Sequence, residues 1–193
     1  MTFRLHLFAA SLAALALPGC ASTTDCCGQP ASTAAAPGSD AERLALALSD
    51  ADLAFLRSDK SRLTEALRRI DALGGRPLDE SSPELRQWRQ AASQEPPMRG
   101  RPLGPGYRSG EVSPGGSEQI EQVFLSGKRA SVALSIPGRG QLTLHVQNGR
   151  EEPVCGQAGT ASRCQWVPVF TDRYRIKIAN PGRTAVRYFL VVQ

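Results

Sequence analysis

Hydrophobic positions in the second half of the chain recur at every second residue, which is typical of half-buried β-strands. The clearest case is the segment 173–178, Arg-Tyr-Arg-Ile-Lys-Ile, in which basic and apolar residues alternate. A further alternating segment, 186–192, follows the five-residue turn 180–184, and the segments 131–136 and 142–147 repeat the pattern. Several short strands separated by glycine-rich turns predict an antiparallel β-sandwich.

The last two alternating segments also predict a hairpin. If Ile178 pairs with Val186, one face of the hairpin carries only apolar side chains: Tyr174, Ile176, Ile178, Val186, Tyr188 and Leu190. A slip of one residue would turn the apolar set of one strand outward, so this register is favoured. The opposite face then carries four basic residues beside Phe189 and Val191, namely Arg173, Arg175, Lys177 and Arg187.

Residues 39–94 show helical spacing instead. Apolar residues recur every three or four positions in two runs, Leu44, Leu48, Ala51 and Phe55 and then Leu63, Leu67 and Ile70. Ser39 and Glu42 have the spacing of a capping box, and Gly74 is a glycine stop. A third, shorter helix is predicted to begin at Ser82, with Pro83 at its first helical position. Such short helices must pack on each other or on the next domain.

The fold class is therefore mainly β, an antiparallel β-sandwich at 107–193 preceded by a short α-helical segment at 39–94. Between them, residues 95–106 are rich in proline and glycine and are predicted to be a linker. Residues 20–38 are mostly alanine, serine, threonine, glycine and proline, which predicts a disordered tether. Residues 1–19 contain an apolar run too short for a bilayer, which needs about 20 residues, and are predicted to be a signal peptide.

Basic and acidic residues are distributed unevenly along the 193 residues. Residues 40–98 hold nine Lys or Arg and eleven Asp or Glu, whereas residues 99–193 hold thirteen and six, within a net charge of +5. In the predicted hairpin, Lys177 would lie opposite Arg187, and an anion would relieve their repulsion. Arg173, Arg175, Lys177 and Arg187 are thus a candidate face for an anionic ligand, which the acidic helical segment could also cover. The other interpretation is a solvated face that discourages edge pairing.

The segment Leu17-Pro18-Gly19-Cys20 resembles the lipobox of bacterial lipoproteins. The resemblance implies that the Cys20 thiol receives a diacylglycerol, that the chain is cut before Cys20 and that the new amino group is acylated. Ala21, rather than an aspartate, follows the cysteine, which implies the outer membrane, facing the periplasm. An ordinary soluble secretory signal ending near a cysteine is the alternative.

Export also bears on the remaining four of the five cysteines. Cys155 and Cys164 flank a short loop, and in an oxidising compartment we expect them to form a structural disulfide, contributing on the order of 3 kcal/mol. Cys26 and Cys27 are adjacent, so cross-links to other chains are plausible. The mature chain would keep a single histidine, so neither a metal site nor a cofactor is expected.

Residues 107–193 resemble the bacterial pre-peptidase C-terminal domain. The likeness lies in Glu-Gln-Val-Phe-Leu-Ser-Gly at 121–127, the strand 130–136, Gly-Gln-Leu-Thr-Leu-His-Val at 140–146, and above all the run 166–182 with Tyr-Phe-Leu at 188–190. It implies a small, non-catalytic β-sandwich of the kind carried by secreted peptidases and other exported proteins. Some related sandwiches bind collagen or calcium, but Gln141 and Thr143 stand where the family often has aspartates, so calcium is not expected.

Catalytic motifs are absent from the sequence. It has no Gly-x-Ser-x-Gly and no complete phosphate loop, and the one mature histidine, His145, lies in mid-strand. We therefore expect a non-enzymatic envelope lipoprotein, a binding or structural accessory held to the membrane by its lipid anchor. Its partner would be an anionic envelope component or a protein, and nucleic acid is not expected. The alternative is an accessory or chaperone-like partner of an exported peptidase or hydrolase.

Overall fold

The computed structural model describes residues 38–78, 84–95 and 104–193. The predicted signal peptide, the lipidation at Cys20, nearly all of the tether, the start of the third helix at Ser82 and most of the 95–106 linker lie outside the described residues. The described parts of the helical segment and the sandwich belong to one compact unit.

Three helices come first in the described residues: α1 (Asp40–Leu56), α2 (Lys60–Leu73) and α3 (Glu84–Ala92). α1 begins as its capping box predicts, because the Glu42 backbone N–H donates to Ser39 Oγ at 3.2 Å. At the start of α2, the Arg62 backbone N–H donates to the Asp59 carboxylate at 3.0 Å. α2 ends at Gly74, whose φ of 67° is left-handed, and this confirms the predicted glycine stop.

Nine strands are found in the described residues: β1 (Arg76–Pro77), β2 (Gly106–Val112), β3 (Ser117–Phe124), β4 (Ala130–Ser135), β5 (Leu142–Gln147), β6 (Pro153–Gly159), β7 (Ala161–Trp166), β8 (Asp172–Ala179) and β9 (Val186–Val192). They form a five-stranded sheet, β1-β2-β9-β4-β7, and a four-stranded sheet, β3-β8-β5-β6. Every pairing is antiparallel except that of β1 with β2. The predicted sandwich is therefore confirmed.

The two sheets enclose one core, and the predicted direction of the side chains is confirmed. Tyr174, Ile176 and Ile178 of β8 and Val186, Tyr188 and Leu190 of β9 all point into this core. The predicted hairpin between these strands is wrong. β8 pairs with β3 and β5, whereas β9 pairs with β2 and β4. Residues 180–184 carry the chain from one sheet across to the other.

A second core lies between the outer face of the five-stranded sheet and the helices. Phe189 and Val191 of β9 are fully buried there against α1 and α3, with Trp88 edge-on to Phe189 at 5.9 Å between ring centroids. The outward side chains of β4 are small: Ser131, Ala133 and Ser135. Because they are small, α1 lies directly on β4, and the Ser49 hydroxyl donates to Ser135 Oγ at 2.7 Å.

The predicted disulfide between Cys155 and Cys164 is confirmed, with their Cα atoms 5.9 Å apart. Cys155 belongs to β6, at the edge of the four-stranded sheet, and Cys164 to β7, at the edge of the five-stranded sheet. The bond therefore joins the two sheets along one side of the sandwich.

Candidate functional site

The structure separates the four basic residues that the sequence predicted to share a face. Arg173, Arg175 and Lys177 lie on the outer face of the four-stranded sheet, whereas Arg187 lies on the outer face of the five-stranded sheet, against the helices. The prediction of one common face is wrong because it rested on a β8–β9 hairpin. Lys177 and Arg187 are consequently not opposite each other, and the predicted repulsion between them does not arise.

The open face is the name we give to the outer side of the four-stranded sheet around Lys177. The exposed Lys177 lies between Gln119 of β3 and His145 of β5 in register. These side chains, with Thr143 and Gln147, line a shallow groove of about 380 Å³. Gly156 opposite His145 leaves room for the imidazole ring, since a Cβ there would lie 3.0 Å from the ring Nδ1.

Two of the three basic residues on the open face have carboxylate partners. Arg173 Nη1 donates to Glu121 Oε2 at 3.1 Å, and Arg175 Nη1 donates to Glu151 Oε1 at 2.9 Å. Both ion pairs are largely solvent-exposed, so each stabilises the fold by about 1 kcal/mol at most. The ammonium group of Lys177 has no hydrogen bond or ion pair with any residue of the described ranges, although the Lys177 backbone pairs in the sheet. Of these three cations, Lys177 is therefore the one most available to an external anion.

Arg187 is at the centre of an ionic cluster beneath the helices. Its Nη2 lies 3.2 Å from Asp52 Oδ1 of α1 and 3.0 Å from Glu84 Oε1 of α3, and the Ser109 hydroxyl donates to the same Glu84 oxygen at 2.6 Å. The guanidinium carbon also lies 5.5 Å from the centroid of the Phe189 ring. The acidic helical segment thus covers this one member of the predicted basic face.

Burial dominates the electrostatics of this cluster. It raises the pKa of the Asp52 carboxyl, an effect that the Arg187 charge partly offsets and the Glu84 charge reinforces. Burial also raises the pKa of the Tyr107 phenol, with a further contribution from Glu84. The second oxygens of the two carboxylates, Asp52 Oδ2 and Glu84 Oε2, have no hydrogen-bond partner within the described residues. The cluster is a polar contact that holds the helical layer to the sheet.

Sequence reasoning missed Asp52 and Glu84 as partners of Arg187. A signal for Asp52 was present, because it follows Leu44 and Leu48 at four-residue spacing and therefore lies on the apolar face of α1. Glu84 gave no such signal. It comes from α3, a different helix, and only the tertiary packing brings it to Arg187.

The described residues contain neither a helix suited to a membrane nor a cluster suited to a metal ion. Within the described ranges, no helix combines the length and the apolar character needed to cross a membrane. The same ranges contain no group of three or more His, Cys, Asp or Glu side chains that could hold a metal ion.

Comparison with known proteins finds similar solved structures but no matching family. No protein-family model and no curated protein matches the chain. Similar solved structures include the Yersinia pseudotuberculosis-derived mitogen, with 13% identity over 47% of this chain and 85% of that chain and a TM-score of 0.40. Another is the pre-peptidase C-terminal domain of a collagenase from Bacillus anthracis, with 15% identity, coverage of 45% and 87% and a TM-score of 0.40.

A third similar structure is PliG from Aeromonas hydrophila, a periplasmic lysozyme inhibitor of g-type lysozyme. It shares 17% identity over 46% of this chain and 84% of that chain, with a TM-score of 0.37. The sandwich thus has a pre-peptidase C-terminal domain among its similar structures. At these identities and TM-scores, the likeness carries no argument about activity or ligand.

Proposed function

We propose that this protein is a non-enzymatic accessory lipoprotein of the bacterial envelope, which binds an anionic partner through the open face. One observation carries the proposal. The helices bury the outer side of the five-stranded sheet, whereas the outer side of the four-stranded sheet is exposed. At its centre lies Lys177, whose side chain has no ionic partner in the described part of the chain. A binding module needs an accessible surface with unsatisfied chemistry, and the open face provides both.

The chemistry of the open face suits phosphate or carboxylate groups. Lys177 supplies a positive charge with three donors, and the neighbouring Gln119 amide and His145 ring can donate or accept. Arg175 lies one row further along the sheet. Because these groups are exposed, we expect the interaction to weaken as salt screens it. Such anions occur on lipid headgroups, on cell-wall polymers and on acidic protein surfaces.

The proposed location is the outer membrane, with the folded part facing the periplasm. The support is the resemblance of residues 17–20 to a lipobox, with Ala21 after the cysteine. A chain anchored at Cys20 would hold the described domain close to the membrane through the intervening tether. The mass of the N-terminal peptide of the mature protein tests this step, because lipidation adds acyl chains to Cys20.

A photo-reactive amino acid at Gln119, beside Lys177, tests the proposed binding in the native cell. We expect one partner to be captured, and Lys177→Glu to lower the capture about fivefold or more, because a contact of about 1 kcal/mol becomes repulsive. The matched control is Arg183→Glu, the same charge change at an exposed residue of the turn 180–184 that has no ion pair among the described residues.

The outcomes separate the two candidate roles. Capture of a phosphate-bearing lipid or glycan, or of an acidic non-enzymatic protein, supports the binding role. Capture of an exported peptidase or hydrolase at the same position supports the accessory role. Equal loss of capture in Lys177→Glu and Arg183→Glu, or no capture at all from position 119, would overturn the open face as the binding surface.

A further inference from the structure

One end of the sandwich exposes large apolar side chains side by side. The apolar tip consists of Leu125, Val167, Val169 and Phe170, which are 58%, 58%, 76% and 68% exposed. Val123, 48% exposed, adjoins Leu125 at the end of β3. Contiguous apolar surface of this kind on a folded domain marks a site of interaction with a protein or a membrane.

Hydrogen bonds and aromatic packing hold the backbone of the apolar tip in place. The Ser126 hydroxyl donates to the Val169 carbonyl at 2.6 Å, and the Gly127 N–H donates to the Pro168 carbonyl at 2.9 Å. Beneath the loop, Phe124, Trp166 and Tyr174 pack against one another with ring centroids 4.9 to 5.5 Å apart. The loop 167–170 is thereby fastened to the neighbouring turn at its backbone, while its side chains point to solvent.

Exposed basic side chains lie around the apolar tip. Lys128 and Arg129 follow it in the turn after β3, and Arg150 lies in the turn after β5 beside Phe170. Each is exposed and has no ion-pair partner among the described residues. Two carboxylates lie nearby and keep their negative charge, although both accept hydrogen bonds from neutral donors: Glu152 from the Asn148 amide and Asp172 from the Gly149 N–H. The three cations outnumber them. Apolar side chains ringed by cations complement a bilayer that contains anionic lipid.

The start of the described domain lies at the same end of the sandwich. The hydroxyls of Ser39 and Ser131 share a hydrogen bond of 2.9 Å, and Ser131 is adjacent to Ala130, which pairs with Trp166 next to the apolar tip. α1 then runs away from this end, so that Leu53 reaches Gly138 beyond the far end of β4. A lipid on the segment before residue 38 would therefore draw the tip end toward the membrane.

We propose that the apolar tip enters the headgroup region of a phospholipid bilayer that carries anionic lipid, so that the sandwich docks with this end on the membrane. The inference rests on the proposed function at one point: the lipid anchor at Cys20 brings the domain to the membrane. The other observations concern the described residues themselves: the exposed apolar side chains, the surrounding cations and the hydrogen-bonded backbone of the loop 167–170.

Tryptophan quenching tests the proposal. Phe170→Trp would be prepared in the full mature protein, reconstituted in vesicles of phosphatidylethanolamine and phosphatidylglycerol with brominated acyl chains. We expect the added emission to fall by about half, because a tryptophan at headgroup level lies near the bromine atoms. The control is Leu56→Trp, since Leu56 is 70% exposed and ends α1 at the opposite end. Its added emission should be unchanged.

Lipidation and tip insertion are read out separately. If the mass of the protein shows acyl chains on Cys20 but position 170 is not quenched, tip insertion is overturned and the lipoprotein proposal stands. If Cys20 carries no lipid, the lipoprotein proposal fails, and the same protein is mixed with preformed vesicles. Quenching at position 170 by phosphatidylglycerol vesicles then supports insertion, and its absence overturns it.

A second variant distinguishes a membrane from a protein as the occupant. Val169→Ser with Phe170→Ser removes apolar surface that is already exposed, so the fold should be retained, as an unchanged unfolding midpoint would verify. In protein without the acyl chains, which would otherwise hold parent and variant alike on the membrane, we expect about tenfold weaker binding to preformed phosphatidylglycerol vesicles, since affinity scales with the apolar area buried. Unchanged vesicle binding, or capture of a protein rather than lipid by a photo-reactive residue at position 170, would contradict the proposal.

Discussion

At the scale of single residues, Asp52 is a carboxylate whose burial disfavours its charged form. It lies on the apolar face of α1 with a side chain only 6% exposed, and one carboxylate oxygen has no hydrogen-bond partner within the described residues. Arg187 stabilises the charged form, but burial has the larger effect and raises the pKa. The ionised carboxylate therefore destabilises the fold relative to the protonated one.

Replacing Asp52 by asparagine should remove one contribution by which stability falls as the pH rises. Because the pKa of Asp52 is raised in the folded state, the folded protein binds more protons than the unfolded one. The free energy of unfolding therefore falls as the pH rises from the ordinary carboxyl range through the raised pKa. Asp52→Asn removes this contribution, as urea unfolding between about pH 4 and about pH 7 would show.

The matched control is Asp50→Asn on the same helix. The Asp50 side chain is 52% exposed and forms an ion pair with Arg69, so its replacement should leave that slope nearly unchanged. An equal change of slope in both variants would mean that burial of Asp52 is not the cause.

At the scale of elements, the sequence predicted the direction of side chains better than the pairing of strands. Alternation in β8 and β9 correctly identified the six inward residues. It could not identify which strands pair with each other. Two strands of one hairpin and two strands that face each other across a core both need the same alternation of apolar and polar residues. In the structure the buried Asn180 side chain donates to the carbonyls of Val112 and Thr184, both at 2.8 Å, and so stabilises the crossing between the sheets.

The candidate site was limited by the same ambiguity. Arg173, Arg175 and Lys177 share a face because they alternate within one strand, and that much can be read from the sequence. Arg187 joined them only through the assumed hairpin. Its true partners, Asp52 and Glu84, come from helices far away along the chain, and nothing in the local pattern around Arg187 indicates them.

The disulfide joins the edges of both sheets, so its loss should destabilise the sandwich as a whole. We expect replacement of Cys155 and Cys164 together by alanine to lower the free energy of unfolding by about 3 kcal/mol. Denaturant unfolding of the variant and the parent measures the difference. A reducing agent should destabilise the parent by a similar amount and leave the variant unaffected. An equal response of both proteins to the reducing agent would contradict this account.

At the scale of the whole molecule, the helices and the sandwich share a core. Phe189 and Val191 point to the helical layer, while Tyr188 and Leu190 of the same strand point to the core between the sheets. Loss of the helices would expose one face of the central strands β4 and β9. Residues 39–94 were recognisable from the sequence as helical, but the surface that they cover was not, because β4 meets α1 with inconspicuous small residues.

We therefore expect the helical layer and the sandwich to unfold in one transition. Trp88 reports on the helical layer and the partly buried Trp166 on the sandwich. Variants carrying Trp88→Phe or Trp166→Phe isolate the two fluorescence signals. Each signal, together with far-ultraviolet circular dichroism, should give the same midpoint in urea after correction for the stability of the variant. A lower midpoint for the Trp88 signal would show that the helices detach first.

The small outward residues of β4 also limit the substitutions that such a chain can accept during evolution. A descendant that lost residues 39–94 would expose Tyr107, Phe189 and Val191 to solvent and would be prone to aggregate until those positions became polar. Conversely, a bulky residue at position 133 would push α1 away while the helices were still present. Small residues at 131, 133 and 135 together with apolar ones at 189 and 191 should thus identify, in a diverged sequence, a sandwich that still has its helical layer.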